Sequence, residues 1–469
     1  MEISDFGTKK IGLETYSPVK EIPKQSAFPR EQTILTLQNC LYAFATEQFK
    51  YFKDGFLADQ LEESDDFPVE YVLNANLDQR SNDIALIEKI SCQRKQTQNQ
   101  DTLYLADFLA YQALAPMLQT VTNVDGLRLR SAATVLTYFQ KTTSVRVIPY
   151  APVVLVGIPY TCLNDKRDLL AIPHEVGHYV YRHALFGNEN ISAYLRSDDS
   201  FPTWIQNWFE EIFSDVYGAL MAGPVLGLSF QDLQLIVRTD RFYTDDGDHP
   251  VPLLRPYIYI NVIESMFQSW TDKLRSNWET YLNDKRDAKL AAKNPELLYE
   301  EVAPNVYGTT KERKILLKDQ DRLYKAANII STTNSPPKDN VTRSLDEAVK
   351  KIRDELLANI TNRSWPPSLA AAPENASADN LYDHFINYLE TLTVNPVPDL
   401  SIDGEMIMVG DSQTHLKVGE LMRDVDEPVE REIITDKGQI SKKSWLRKLD
   451  ARGWATRGPD CDGSGGVNC

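Results

Sequence analysis

Apolar residues recur at helical spacing over most of this chain and at strand spacing in only a few places. Ile34, Leu35, Leu37, Leu41, Phe44, Phe49 and Phe52 share one face of a helix expected over about 31–56. Similar spacing predicts helices over about 68–90 and 101–141, and their aromatic stripe reads as core. Ser144–Ile148 and Pro152–Gly157 are β-branched, bounded by Pro or Gly, and read as strands. Helical periodicity returns around 172–183 and 208–218, briefly near Asp232, and again over about 256–293, 311–330, 344–359 and 380–392. The polar stretch 188–200 reads as a loop, and the Pro/Ala/Ser-rich stretch Trp365–Ala378 as a linker. Residues 396–436 alternate enough for short strands. The pattern therefore predicts an α+β, predominantly helical fold.

The helix near 172–183 carries the clearest chemistry, in Pro173-His174-Glu175-Val176-Gly177-His178. Histidines four apart on a helix project from one face, so both imidazoles can bind one tetrahedral zinc. Glu175 falls beside that metal as a general base for a zinc-activated water. Asp168 is the expected cap of this helix, Pro173 fits its first turn, and Gly187 is the expected stop. Two surface histidines on an ordinary helix are the plain alternative. The next helix weighs against it: Trp208-Phe209-Glu210-Glu211-Ile212-Phe213-Ser214-Asp215 puts acids among large apolar residues. Glu211 is the candidate third ligand, and Asp215, one turn on, can accept the free N–H of a ligating histidine. Glu210 reads as a solvated acidic edge.

A third segment, Asp246-Gly247-Asp248-His249-Pro250, offers His249 as a donor to the oxyanion of a tetrahedral intermediate, with Arg255 a nearby charge. Tyr217 and Tyr243 are further candidates for that role. The aspartates around Gly247 lack the bidentate glutamate of a calcium loop and read as a solvated turn.

HEVGH followed by EEIFSD resembles the gluzincin clan of zinc peptidases, of which thermolysin is the best known. The resemblance implies zinc, one ion per chain, bound by His174, His178 and Glu211, with Glu175 as base and Asp215 beside His174. The His249-Pro250 segment with Arg255 is similar to the zinc proteases that process CaaX proteins, in which the matching residues contact substrate or stabilise the transition state. The match spans about residues 150–260 and rests on three short motifs; membrane-spanning helices of the CaaX type are absent, and Glu210 stands where thermolysin has Asn. It implies a zincin-type core, a small sheet with an active-site helix and a second ligand-bearing helix, flanked by helical regions. The organisation expected is an extended arm over 1–30, a helical lobe over 31–143, the peptidase core over 144–296, a helical region over 297–393 and a mixed C-terminal region over 394–469. In gluzincins a strand at the position of Pro152–Gly157 pairs with extended substrate along its free edge. An interior strand with both edges paired is the equal alternative.

Composition narrows the partners. A net charge of −17 argues against nucleic acid, whose phosphates need clustered cations. No apolar run is long enough to span a bilayer, and the first residues carry no secretory pattern, so a soluble cytoplasmic protein is expected; polypeptide substrates are what the resemblance implies. The 5 cysteines form no disulfide framework; Cys461 and Cys469 bracket a Gly-rich tail. The competing readings are a non-catalytic binding or assembly protein that retains a gluzincin core, and a metallo-hydrolase of non-peptide substrates.

Overall fold

The apolar stripes and β-branched runs fold into long helices around small sheets. The computed structural model describes residues 28–58, 61, 68–122, 125–201, 203–235, 249–250, 252–292, 340–360, 378–420, 432–434 and 440–442. Helices α1 (Glu31–Leu57), α2 (Val69–Lys95) and α3 (Thr97–Leu118) lead into strands β1 (Leu127–Leu129), β2 (Thr134–Gln140), β3 (Ser144–Arg146) and β4 (Val153–Pro159). Then come α4 (Ile172–His183), β5 (Ala184–Phe186), β6 (Glu189–Asn190), α5 (Ile191–Arg196), α6 (Thr203–Ala222), α7 (Pro224–Leu235), α8 (Arg255–Glu264) and α9 (Gln268–Ala292). Helices α10 (Asn340–Asn359) and α11 (Ala378–Thr391) precede β7 (Leu400–Asp403), β8 (Met406–Val409) and β9 (Ser412–Lys417), and a hairpin of β10 (Glu432–Ile434) and β11 (Ile440–Lys442) follows.

The fold is mostly helical with small sheets, as the pattern predicts. The chain divides into two compact units, each discontinuous in sequence. Unit 1 gathers Met1–Phe108, Ser131–Leu163 and Val394–Cys469; unit 2 gathers Leu109–Arg130 and Asn164–Thr393. The helix expected over 101–141 ends at Leu118, because Thr134-Val135-Leu136-Thr137-Tyr138-Phe139 is β-branched and aromatic and forms a strand. The expected helix over 311–330, most of the arm over 1–30, nearly all of the 365–378 linker, the 245–248 turn, and Cys461 and Cys469 lie outside the described residues.

In unit 1, β4 runs in the middle of its sheet, parallel to β2 and antiparallel to β3. It is therefore the interior alternative, not a strand with an open edge. The outer edge of β2 is closed by side chains. Val135 O accepts from Arg30 Nη2 at 2.7 Å and Thr137 O from Arg94 Nη2 at 2.6 Å. Thr137 N donates to Asp107 Oδ1 at 2.8 Å. Gln93 takes both groups of Phe139, its amide standing in for a neighbouring strand, at 2.8 Å each. Closing an edge this way removes the template for further strand pairing.

Arg30 ties three distant parts of unit 1 together. Besides Val135 it donates to Thr134 Oγ1 and, through Nη1, to the carbonyls of Val397 and Pro398. Its φ of 66° is in the left-handed region, a cost that these buried bonds offset.

Unit 2 is built around α6, which packs against α4, α7, α8 and α10. Sequence dictates how closely α4 and α6 meet. A Cβ on Gly177 would lie 2.8 Å from Ser214 Cα, and one on Gly218 would lie 2.9 Å from Leu226 Cδ2 and 3.2 Å from the His174 nitrogen. Only glycine permits that approach.

Candidate metal centre

Helix α4 grows out of a 3₁₀ turn, Lys166–Ala171, and this alters the expected start. Asp165, not Asp168, supplies the cap, accepting from Arg167 N at 3.0 Å, and α4 itself begins without a side-chain cap. Pro173 sits in its first turn as expected. The helix ends at His183, before Gly187, which takes φ 58° between β5 and β6.

Across the α4–α6 contact the three expected ligands come together. His174 Nε2 and His178 Nε2 are 3.1 Å apart. Glu211 Oε2 lies 3.7 Å from the first and Glu211 Oε1 3.5 Å from the second. A tetrahedral zinc with ordinary Zn–N and Zn–O bonds separates neighbouring ligand atoms by about 3.3–3.5 Å. The triad could therefore hold one metal ion through two imidazoles and a carboxylate.

Each imidazole is held from behind. His174 Nδ1 lies 2.9 Å from Asp215 Oδ1, as expected. His178 Nδ1 lies 3.1 Å from Glu210 Oε1, and Arg182 donates to both Glu210 oxygens, through Nε at 3.0 Å and through Nη2. Glu210 is thus the partner of the second histidine, not a solvated edge; its side chain is only 14% exposed. The sequence carried a signal for this, since Arg182 stands one helical turn beyond His178.

Arg255 begins α8 and reaches into the cluster. Its Nε and Nη2 grip Asp215 at 2.7 and 3.0 Å, and Nη2 also meets Glu211 Oε2 at 2.7 Å. Its guanidinium lies over the Phe230 ring. A cation at a helix N-terminus is disfavoured by the dipole, so these two carboxylates are what holds it there. Arg255 is thus engaged with both Glu211 and Asp215. Tyr259, a residue sequence reasoning missed, donates to Asp215 Oδ1 at 2.7 Å.

Burial opposes charge on Glu211, yet His178, His249, Arg255 and His174 outweigh it and bring the carboxyl down to about 2. Burial likewise opposes charge on Asp215, but Arg255 and His174 hold it well below the carboxylate range. Burial works against His178 too, and the Glu211, Glu210 and Glu175 carboxylates turn its shift upward. Among the described residues Arg182 pairs with Glu210, and Arg255 with Glu211 and Asp215.

The remaining candidates divide. Glu175 sits in the first turn of α4, 9% exposed, one residue from His174. His249 Nε2 is 3.5 Å from Glu211 Oε1, so the third motif does join the other two. Tyr217 does not: it is fully buried, and its hydroxyl donates to Ala113 O at 2.6 Å. Tyr243 lies outside the described residues.

Compared with known protein families, with curated proteins and with solved structures, the chain matches none.

Proposed function

We propose that this chain is a zinc metallopeptidase of gluzincin type, in which His174, His178 and Glu211 hold the ion. One observation carries the reading: two imidazole nitrogens and a carboxylate meet within 4.8 Å of one another, and each imidazole's far nitrogen lies against a carboxylate. Bound there, a zinc ion would supply Lewis acidity, polarising the scissile carbonyl and acidifying water. Glu175 takes the proton of the attacking water and passes it to the leaving nitrogen. His249, partly exposed beside Glu211, donates to the oxyanion. The polypeptide substrate rests on the resemblance alone, because β4 has no free edge to receive a peptide backbone.

The binding reading has its own observation. Arg255 already partners Glu211 and Asp215, so the cluster is held together by internal charge even before a metal is added. Metal analysis of the full chain, followed by assays on mixed peptide and ester substrates with chelator and zinc re-addition, separates the readings. One zinc per chain and chelator-sensitive peptide cleavage are expected. Zinc without turnover of either substrate would favour the binding role, turnover of esters alone would indicate another hydrolase, and no metal uptake would end the proposal.

A further inference from the structure

The two ligand imidazoles stand edge to face, with ring planes at 89°, and point their Nε2 atoms at each other across 3.1 Å. Which of these nitrogens carries a proton depends on the tautomer of each ring, and the group behind each ring decides it. A carboxylate gripped by an arginine stands behind each ring, and at His178 it makes a hydrogen bond. Behind one, Asp215 faces His174 Nδ1 and is gripped by Arg255 through two nitrogens. Behind the other, Glu210 faces His178 Nδ1 and is gripped by Arg182 through two nitrogens.

We infer that the Arg182–Glu210 pair is a positioning device for the second histidine, fixing the tautomer and ring direction of His178 so that Nε2 faces the metal position. This rests on the metal-site reading above. A glutamate alone has three soft torsions and would hold the ring poorly; a planar guanidinium fork on both oxygens removes that freedom. The placement is economical: Arg182 lies one turn past His178 on α4, and Glu210 lies next to the ligand Glu211 on α6. The pair therefore spans the same helix contact as the ligands, and a change in it is felt at the ring. A salt bridge that merely fastened α4 to α6 would need no Nδ1 contact.

The experiment uses the full chain and reads zinc affinity by competition with a chromophoric chelator, beside imidazole ¹⁵N spectra of the metal-free chain at about pH 9, where histidines are neutral. Glu210→Ala is expected to weaken zinc binding about 10- to 100-fold. Glu210→Gln, whose amide oxygen still accepts the Nδ1 proton, should stay within a few-fold of the parent, and Arg182→Met should fall between them. In the spectra His178 should carry its proton on Nδ1 in the parent and lose that preference in Glu210→Ala. Unchanged zinc affinity in Glu210→Ala, with only a lower melting temperature, would reduce the pair to a structural bridge. An Nε2-protonated His178 in the parent would overturn the inference outright. A parent that takes up no zinc would sink the proposed function instead, and the spectra would still decide what Glu210 does to the ring.

Discussion

At the scale of single residues, the proposed function gives Glu175 a task that its neighbours do not share. Glu175 contributes no ligand atom to the triad, so replacing it should leave the metal in place. Glu175→Gln is therefore expected to retain stoichiometric zinc while peptide turnover falls about 10²- to 10⁴-fold; metal analysis and kinetics on one sample check it. Tyr217→Phe makes the opposite case. Its hydroxyl serves the Ala113 carbonyl, so turnover should persist while stability drops by about 1 kcal/mol, read by urea unfolding. The grouping of His174, His178, Glu211 and Asp215 was legible in the sequence because its spacing is local: histidines and acids at i and i+4. The roles of Glu210 and Tyr259 are defined by partners on another helix that spacing alone cannot locate, and the only trace of the first was Arg182 one turn beyond His178. Tyr217 misled for the converse reason, a polar tip whose acceptor lies 104 residues away in sequence.

At the scale of elements, the distance between α4 and α6 governs everything the site can do. Gly177→Ala puts a methyl against the Ser214 backbone, and neither helix can yield without moving a ligand. We expect a loss of about 1–3 kcal/mol in denaturant unfolding together with reduced zinc content. Helix α10 docks in the same unit through Lys351, which bonds Asp198 at 2.7 Å. Hydrogen bonds from Lys351 and Ser200 lower the Asp198 carboxyl to about 2. A depressed acid stabilises the fold above its unfolded value and ceases to as pH falls through the folded one. The stability advantage of the parent over Lys351→Met should thus hold at neutral pH and close between about pH 4 and pH 2; urea titrations across that window test it. Periodicity located α1, α2, α8 and α10, where one buried face is enough to specify a helix. It missed β2, whose run of buried residues lacks the alternation of a half-exposed strand.

At the scale of the whole molecule, sequence order is a poor guide to neighbourhood. Unit 1 draws on the beginning, the middle and the end of the chain, a division that no linear change in composition betrays. Arg30 is where those parts are fastened. Arg30→Met would strip donors from the carbonyls of Val135, Val397 and Pro398, and should cost roughly 3 kcal/mol or more by urea unfolding. That knot has a consequence for how the protein is made. Arg30 and Val397 are 367 residues apart, so at ordinary elongation rates the ribosome delivers the second about 20 to 70 seconds after the first. For that interval the nascent N-terminal portion has an arginine prepared for carbonyls that do not yet exist, and a chaperone able to shelter it would meet its client there.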